Sequence, residues 1–275
     1  MKIVVGSVVY VEALDYLEDF FDSIEKQNYN DFEILLINDN FSLNQLEKLV
    51  KRTLFKHKVT IIDTQAKLTP VELRLELLKE AKARFDFLIL SDCDDIMTEN
   101  RVQCFAESLE DTYGFYYNEI RTLEYGKVMP KLPVNVDDWK DISEYNFLGM
   151  SNTAIDVSLL SIEFIDSLSQ CKTNIFDWYL YTRIVLEGLK GKKVDSCFTL
   201  YRIHNNNLAG IISNTKQALM REIEIKLKHY DSLKEYNNYL QLYEKYKTKA
   251  KHLQIADPED KLYFWWGLIE NIDTL

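Results

Sequence analysis

Over its first hundred residues the chain alternates between short apolar runs and helical patterns, with few residues between them. Residues 3–9 are β-branched and nearly continuous in apolar character, as a strand covered on both faces requires. Leu14, Leu17, Phe20, Phe21 and Ile24 then recur at helical spacing. Further strands are expected at 32–37, 58–62 and 87–90. Between them, Ser42 begins a helix with Gln45 as its capping-box partner. Thr69-Pro70-Val71-Glu72 combines a Thr N-cap, a Pro at the first helical position and a Glu that completes the box, so a helix runs from there to about Arg84. Such alternation with short connections predicts an α/β fold: a mostly parallel sheet with flanking helices.

The remainder is more mixed. Residues 115–117 and 128–134 read as strands, 158–168 and 177–187 as helices, the second closed by Gly188, and 198–203 as a strand. From about Thr215 to His252 the pattern is helical and heavily charged. Asp257-Pro258 starts one more helix, carrying Trp265 and Trp266. Residues 214–275 therefore read as a helical appendage to a main domain over 1–213. Eight glycines and four prolines in 275 residues leave no flexible linker.

The net charge of −11 argues against a nucleic-acid groove, which needs a basic footprint, and against docking on anionic lipid through bulk charge. Cys93, Cys104, Cys171 and Cys197 form no C-x-x-C pair and read as free thiols of a reducing cytosol. The N-terminal apolar run reads as a strand rather than a signal peptide. No apolar stretch approaches the roughly 18 residues of a membrane span.

In open parallel sheets, ligands bind outside the carboxyl ends of the strands. Here strand one ends at Tyr10 with Glu12 nearby, strand two at Asn38-Asp39-Asn40, strand three at Asp63, and strand four at Ser91-Asp92-Cys93-Asp94-Asp95. An edge so rich in carboxylates holds a phosphate only with a divalent cation between them. Neither G-x-G-x-x-G after strand one nor a P-loop is present, and the glycines at 188 and 191 close a helix rather than open one.

These residues together resemble a family 2 glycosyltransferase of the GT-A fold. The opening strand with the helix ending Ser23-Ile24-Glu25-Lys26-Gln27 resembles the family's start. Asp31-Phe32-Glu33-Ile34 through Asn38-Asp39-Asn40 resembles its "D-F-E-I-I-V-V-D-D-G-S", and Ser91-Asp92-Cys93-Asp94-Asp95 its "L-D-A-D-D". Phe176-Asp177-Trp178 is similar to "E-D-W", and Tyr201-Arg202-Ile203-His204-Asn205-Asn206-Asn207 to "Y-R-x-H-x-x-N". The likeness covers 3–100 well and 145–210 in patches. The chain departs from the pattern at Asn38, Asn40, Val11 and Phe176, and Arg74 is what remains of an "A-R-N".

The resemblance implies an inverting transferase acting on a nucleotide-diphosphate sugar, with UDP favoured. Residues 1–98 would form the nucleotide-binding half and 99–213 the acceptor side. Val9, Tyr10, Glu12, Asp39, Arg74, Asp92 and Cys93 would line the nucleotide, with Asp39 on the base and Asp92 toward the ribose. Asp94 and His204 would hold Mn²⁺ or Mg²⁺, and Asp177 would be the general base. The start of a helix also suits Asp177 as an N-cap, and its positive end should favour the ionised carboxyl. Trp139 and Trp178 are candidates for stacking on sugars. The acceptor would be a hydroxyl of a cell-surface polysaccharide or lipid-linked precursor. The site would be cytoplasmic or at the inner membrane face, and the C-terminal helices would offer a membrane or protein contact or pack on the domain. A degenerate binding module and a sugar-1-phosphate nucleotidyltransferase are the alternatives.

Overall fold

The computed structural model describes residues 1–64, 66–124, 126, 132–173, 175–204, 211–213, 215–250, 262–264 and 267–274. The chain runs β1 (Ile3–Tyr10), α1 (Leu17–Glu25), β2 (Glu33–Asp39), α2 (Leu43–Thr53), β3 (Val59–Asp63), α3 (Pro70–Arg84), β4 (Phe87–Leu90) and β5 (Ile96–Met97). It continues through α4 (Arg101–Glu107), β6 (Tyr113–Thr122), β7 (Asn135–Val136), β8 (Thr153–Asp156), α5 (Ile162–Ser167), α6 (Phe176–Leu186) and β9 (Lys190–Tyr201). Last come β10 (Ile211–Ser213), α7 (Lys216–Asp231), α8 (Asn237–Lys249) and β11 (Leu262–Phe264).

Among the described residues the main sheet has the order β3-β2-β1-β4-β8-β6-β9-β5, with β7 added beside β9. The β3-β2-β1-β4 part is parallel, as the alternation predicts. β8 then lies antiparallel between β4 and β6. β6 and β9 are parallel, and β5 and β7 run antiparallel to β9. Apolar side chains on the two sheet faces form two cores. One gathers α3, α5, α6, α7 and α8 through residues such as Leu77, Phe164, Ile184 and Tyr230; the other gathers α1, α2 and α4 through Phe20, Leu46 and Phe105. Gly6 of β1 lets the first core close: a Cβ there would lie 2.5 Å from a Leu88 methyl and 3.0 Å from a Leu77 methyl.

Local signals succeed where their partners are in place. Thr69 and Glu72 form the reciprocal capping box. Ser42 does stand at the N-cap of α2, but its side chain makes no capping bond, so the box expected with Gln45 does not form. Gly188 follows α6 in the left-handed region at φ 88°.

Several expectations need correction. The helix over 158–168 is broken: Ser161 caps α5 only from Ile162, and 3-10 turns flank it. The strand expected at 198–203 starts at Lys190, because β9 borrows pairing from β6 along its whole length. Of the strand expected at 128–134, residues 128–131 lie outside the described residues, and pairing begins only at Asn135. The charged stretch from Thr215 is two helices, turned at 232–236 so that Tyr230 meets Tyr239 and Tyr246 at ring distances of 6.0 and 5.2 Å. The helix expected from Asp257-Pro258 is not continued at 262–264, where β11 pairs with β10. Residues 257–261, Trp265 and Trp266 lie outside the described residues.

α7 and α8 sit directly on the first core. His229 stacks on Trp178 at 4.0 Å and 10°, and Tyr230 donates to the Ser143 carbonyl over 2.9 Å. His229 is fully buried, and burial, with Lys226 adding, pushes its pKa down to about 3. The unfolded chain takes up a proton near pH 6.5 that the native state refuses. This burden is therefore absent above pH 6.5 and grows as pH falls. His229→Phe removes it. Between pH 7.5 and pH 5, wild type should lose about 2 kcal/mol more stability than His229→Phe, read from urea denaturation at both pH values.

Candidate active site

The parallel strands β3, β2, β1 and β4 finish on one edge of the sheet, so the residues after them are brought together. The chain passes from β1 to β2 on one side, and β4 lies on the other side of β1. A crevice opens at such a reversal of strand order. Tyr10 ends β1 and Asp94 follows β4, and the Tyr10 hydroxyl donates to Asp94 Oδ2 over 3.0 Å. Burial, then the neighbouring Cys93, Asp94 and Asp92, raises the Tyr10 pKa, so the phenol stays a donor.

His204 Nε2 meets the same Asp94 Oδ2 at 2.8 Å. Asp92 anchors its backbone N–H on Ser151 Oγ over 3.1 Å and turns its carboxylate to Arg74 Nη2 at 3.9 Å. The protein packed round Asp92 raises its pKa; Arg74 opposes this, and Asp94 and Asp177 add to it. Water moderates the effect, because the Asp92 side chain is still 39% exposed. Asp177 is governed by the same cation: burial raises its pKa, and Arg74 and then the Trp178 N–H oppose. Arg74 on α3 thus pairs with the carboxylate after β4 and acts through its charge on the one on α6.

Asp177 is the second residue of α6. Ile175 occupies the N-cap, so the capping alternative does not hold, and Asp177 Oδ1 instead accepts from the Trp178 N–H at 2.6 Å. The helix end was expected to keep this carboxyl readily ionised. Enclosure by the protein outweighs it, and the net direction is upward.

Asp39 ends β2 beside Tyr10 in register, partly exposed. Its Oδ1 accepts from Asn40 Nδ2 at 2.7 Å, and Asn40 takes the left-handed φ of 56° that explains an asparagine where the family keeps glycine. Asn38 is fully buried and donates to the Phe41 carbonyl at 2.9 Å and to Asp63 Oδ1 at 2.6 Å. An aspartate in its place would set two carboxylates face to face.

Other expected site residues are placed differently. Val9 and Cys93 are fully buried and present no surface to the crevice. Glu12 is exposed on the 3-10 turn Val11–Ala13. Trp178 is fully buried and donates to the Ile142 carbonyl at 2.6 Å, which rules out stacking on a sugar. Trp139 packs edge-on to Tyr239 and lines a separate open groove of about 400 Å³ with Tyr145, Leu242 and Asn271.

Sequence reasoning missed a layer behind the crevice. The Arg202 N–H donates to Asp95 Oδ1 at 2.8 Å, its Nε to the Asp94 carbonyl at 3.0 Å and its Nη2 to Asp19 Oδ2 at 2.8 Å. Asp95 is buried, and burial and then Asp94 and Asp92 raise its pKa. Arg202 was visible as part of a motif, whereas nothing local marks Asp19 or Ser151.

Among the described residues no three acidic, histidine or cysteine side chains converge as a ready metal cage. Asp94 and His204 are the residues that would hold a divalent cation. Their 2.8 Å separation is close to the roughly 3 Å between adjacent ligands of an octahedral ion with ~2.1 Å bonds.

Residues 5–133 match the family profile described as glycosyl transferase family 2. Over these residues the chain is similar to family 2 glycosyltransferases. Solved structures of GT-A transferases share its fold over nearly its whole length. TarS 1–349 of S. aureus in complex with UDP is 13% identical, with a TM-score of 0.64 over 92% of this chain and 73% of that one. A mannosyltransferase from Pyrobaculum calidifontis in complex with GDP-Man and Mn²⁺ is 11% identical, with a TM-score of 0.59 over 90% and 69%. GalNAc-T7 with UDP, GalNAc and Mn²⁺ is 16% identical, with a TM-score of 0.61 over 93% and 52%. A comparison with curated protein sequences finds no match. The domain is that of a transferase, with the sheet, flanking helices and C-terminal helices of the GT-A fold.

The Asn38 clamp yields a test. Asn38→Asp should destabilise the domain at pH 7 by about 1.5–3 kcal/mol, the value of a lost hydrogen bond to a charged group. The double change Asn38→Asp with Asp63→Asn should recover most of it. Urea denaturation of the three proteins reads both effects.

Proposed function

We propose that this protein is an inverting, metal-assisted glycosyltransferase that takes its sugar from a nucleotide-diphosphate donor, UDP-linked. The observation that carries the reading is the meeting of Asp92, Asp94, Asp177 and Arg74 at the crevice between β1 and β4. The complexes of its structural neighbours with UDP, GDP-Man and Mn²⁺ support it.

In this reading Tyr10 flanks the base, and Asp39 accepts the ring N–H that uracil offers. Arg74 and Asp92 bind the ribose side, with Glu12 at the rim and the buried Val9 and Cys93 as supports of the wall. Asp94 and His204 hold Mn²⁺ or Mg²⁺, which when bound takes up charge on the leaving diphosphate. Asp177 accepts the proton of the acceptor hydroxyl as that oxygen bonds to the anomeric carbon and the bond from that carbon to the diphosphate oxygen breaks. Its upward-shifted pKa makes it a better proton acceptor near neutral pH than an ordinary aspartate.

The same reading puts the nucleotide in residues 1–98 and the acceptor against 99–213, with 214–275 as accessory structure. The acceptor is a hydroxyl of a cell-surface polysaccharide or lipid-linked precursor. The reaction takes place in the cytoplasm or at the inner membrane face, where the C-terminal helices offer a contact. No helix among the described residues is long and apolar enough to cross a membrane.

A thermal-shift panel of UDP, GDP, CDP and dTDP, each with and without Mn²⁺, should give its largest rise with UDP and Mn²⁺, because a ligand of the native state stabilises it by mass action. Asp94→Ala should lose the metal-dependent part of that rise. Equal shifts in both proteins, with and without metal, would remove Asp94 from the metal site.

For the base, Asp177→Asn keeps the side chain's shape and an oxygen to accept the Trp178 N–H. UDP affinity should stay near wild type while sugar release from the donor falls by roughly 10²–10⁴. Undiminished turnover would leave Asp177 a local structural residue. A wild type that binds UDP but never turns over the donor would favour a binding module instead.

A further inference from the structure

His204 stands three residues past the end of β9, outside the sheet's hydrogen-bond ladder. Side chains of the β1–α1 turn and of the segment after β4 contact its ring. It stacks on Tyr16 with centroids 5.2 Å apart and an interplanar angle of 23°. The Arg202 guanidinium lies over the same Tyr16 ring at 4.7 Å. Arg202 donates from Nε to the Asp94 carbonyl at 3.0 Å and from Nη2 to Asp19 Oδ2 at 2.8 Å. His204 Nε2 then meets Asp94 Oδ2 at 2.8 Å. The contacts close on themselves: Asp94 to His204, His204 to Tyr16, Tyr16 to Arg202, and Arg202 back to Asp94.

From this ring of contacts we infer that Tyr16 and Arg202 are positioning residues, which set the His204 imidazole and the Asp94 carboxylate in register for a divalent cation. The inference rests on the metal assignment proposed above. It adds two residues that touch neither cation nor nucleotide in that assignment.

Magnitudes separate positioning from mere stability. The Arg202–Asp19 ion pair has Asp19 59% exposed, and such a pair adds little to folding. What the arginine supplies is a planar fork that reaches two acceptors while its face rests on a ring. Lysine carries the charge but cannot reproduce that geometry. Tyr16 is likewise only partly buried, at the start of α1, and its hydroxyl takes no part in the ring of contacts. Outer-layer partners of metal ligands commonly set affinity by 10–100-fold through orientation alone.

The test compares Tyr16→Phe, Tyr16→Leu and Arg202→Lys with wild type. Free Mn²⁺ is read by electron paramagnetic resonance at saturating UDP, and UDP affinity is measured separately in EDTA by calorimetry. The metal-free proteins are also examined by NMR of the histidine ring protons. The chain has four histidines, so a His204→Gln variant identifies the His204 signal. Tyr16→Leu and Arg202→Lys should weaken Mn²⁺ binding about tenfold or more and leave metal-free UDP affinity within about twofold of wild type. Tyr16→Phe keeps the ring and should behave as wild type. In metal-free protein the His204 signal should move in Tyr16→Leu and stay in Tyr16→Phe.

Unchanged Mn²⁺ affinity in both Tyr16→Leu and Arg202→Lys would overturn the inference. A matching loss of metal-free UDP affinity in Arg202→Lys would overturn it too, since Arg202 would then act on the nucleotide itself. A wild type that binds UDP but takes up no Mn²⁺ would instead overturn the metal assignment, and the inference with it.

Discussion

Carboxylates crowd one edge of the sheet. Asp39, Asp63, Asp92, Asp94 and Asp95 all lie at or just after the ends of strands that finish there. Two carboxylates about 5 Å apart at an effective dielectric near 20 repel by roughly 3 kcal/mol, a large fraction of a domain's net stability. The edge persists because nearly every acid has a specific donor. Asn40 serves Asp39, Asn38 serves Asp63, Arg74 faces Asp92, Tyr10 serves Asp94, and the Arg202 N–H serves Asp95. These donors come from β1, β2, α3 and the end of β9, so holding the charge together is also what ties the two halves of the sheet. Asn38 and Asn40, where the chain leaves the family pattern, belong to this arrangement.

The C-terminal helices meet a different requirement. Glu222 and Lys226 are both fully buried and pair at 3.0 Å. Such a pair gains little by itself, because removing two charges from water offsets their attraction. Its value lies in what it orients. Glu222 accepts the N–H groups of Leu268 and Ile269, while Lys226 reaches the carbonyls of Glu144 and Ile269. The end of the chain is thereby fastened to the loop before β8, and Tyr246 and the Ile272 N–H fasten it again through the Glu144 carboxylate. Packing on the core was one of two readings of this tail, and the Trp178–His229 stack shows how tightly α7 is seated there.

The parallel half of the fold was legible because each of its elements announces itself locally: β-branched runs, the Thr69–Glu72 box, and an apolar stripe on α1. The strand-end rule then gave the acids of the crevice without any coordinates. The antiparallel half was less legible. β5 and β8 are two and four residues long and owe their extended form to neighbours far away in sequence. β11 was read as helix because Asp257-Pro258 is a sound helix start, and a sound start does not fix the conformation of residues several positions beyond it. For Asp177, the helix-end charge could be read from sequence, but the enclosure that outweighs it depends on packing that no spacing reveals. Trp178 looked like a sugar platform by residue type and is instead the floor on which α7 rests.

The turn from β1 to α1 carries Tyr10 at one end and Tyr16 at the other, with the 3-10 segment Val11–Ala13 between them, exposed at Val11 and Glu12 and buried at Ala13. Surface turns usually accept insertions and deletions readily. This one is gauged at both ends by the same acid: Tyr10 bonds Asp94 directly, and Tyr16 reaches it through His204. Adding or removing one residue would rotate α1 relative to β1 and pull one tyrosine away whichever way the helix moved. The length of this turn is thus dictated by the crevice it borders rather than by the strand and helix it joins. In a lineage of such chains, the exposed side chains at positions 11, 14 and 15 are free to drift while the number of residues in the turn is not.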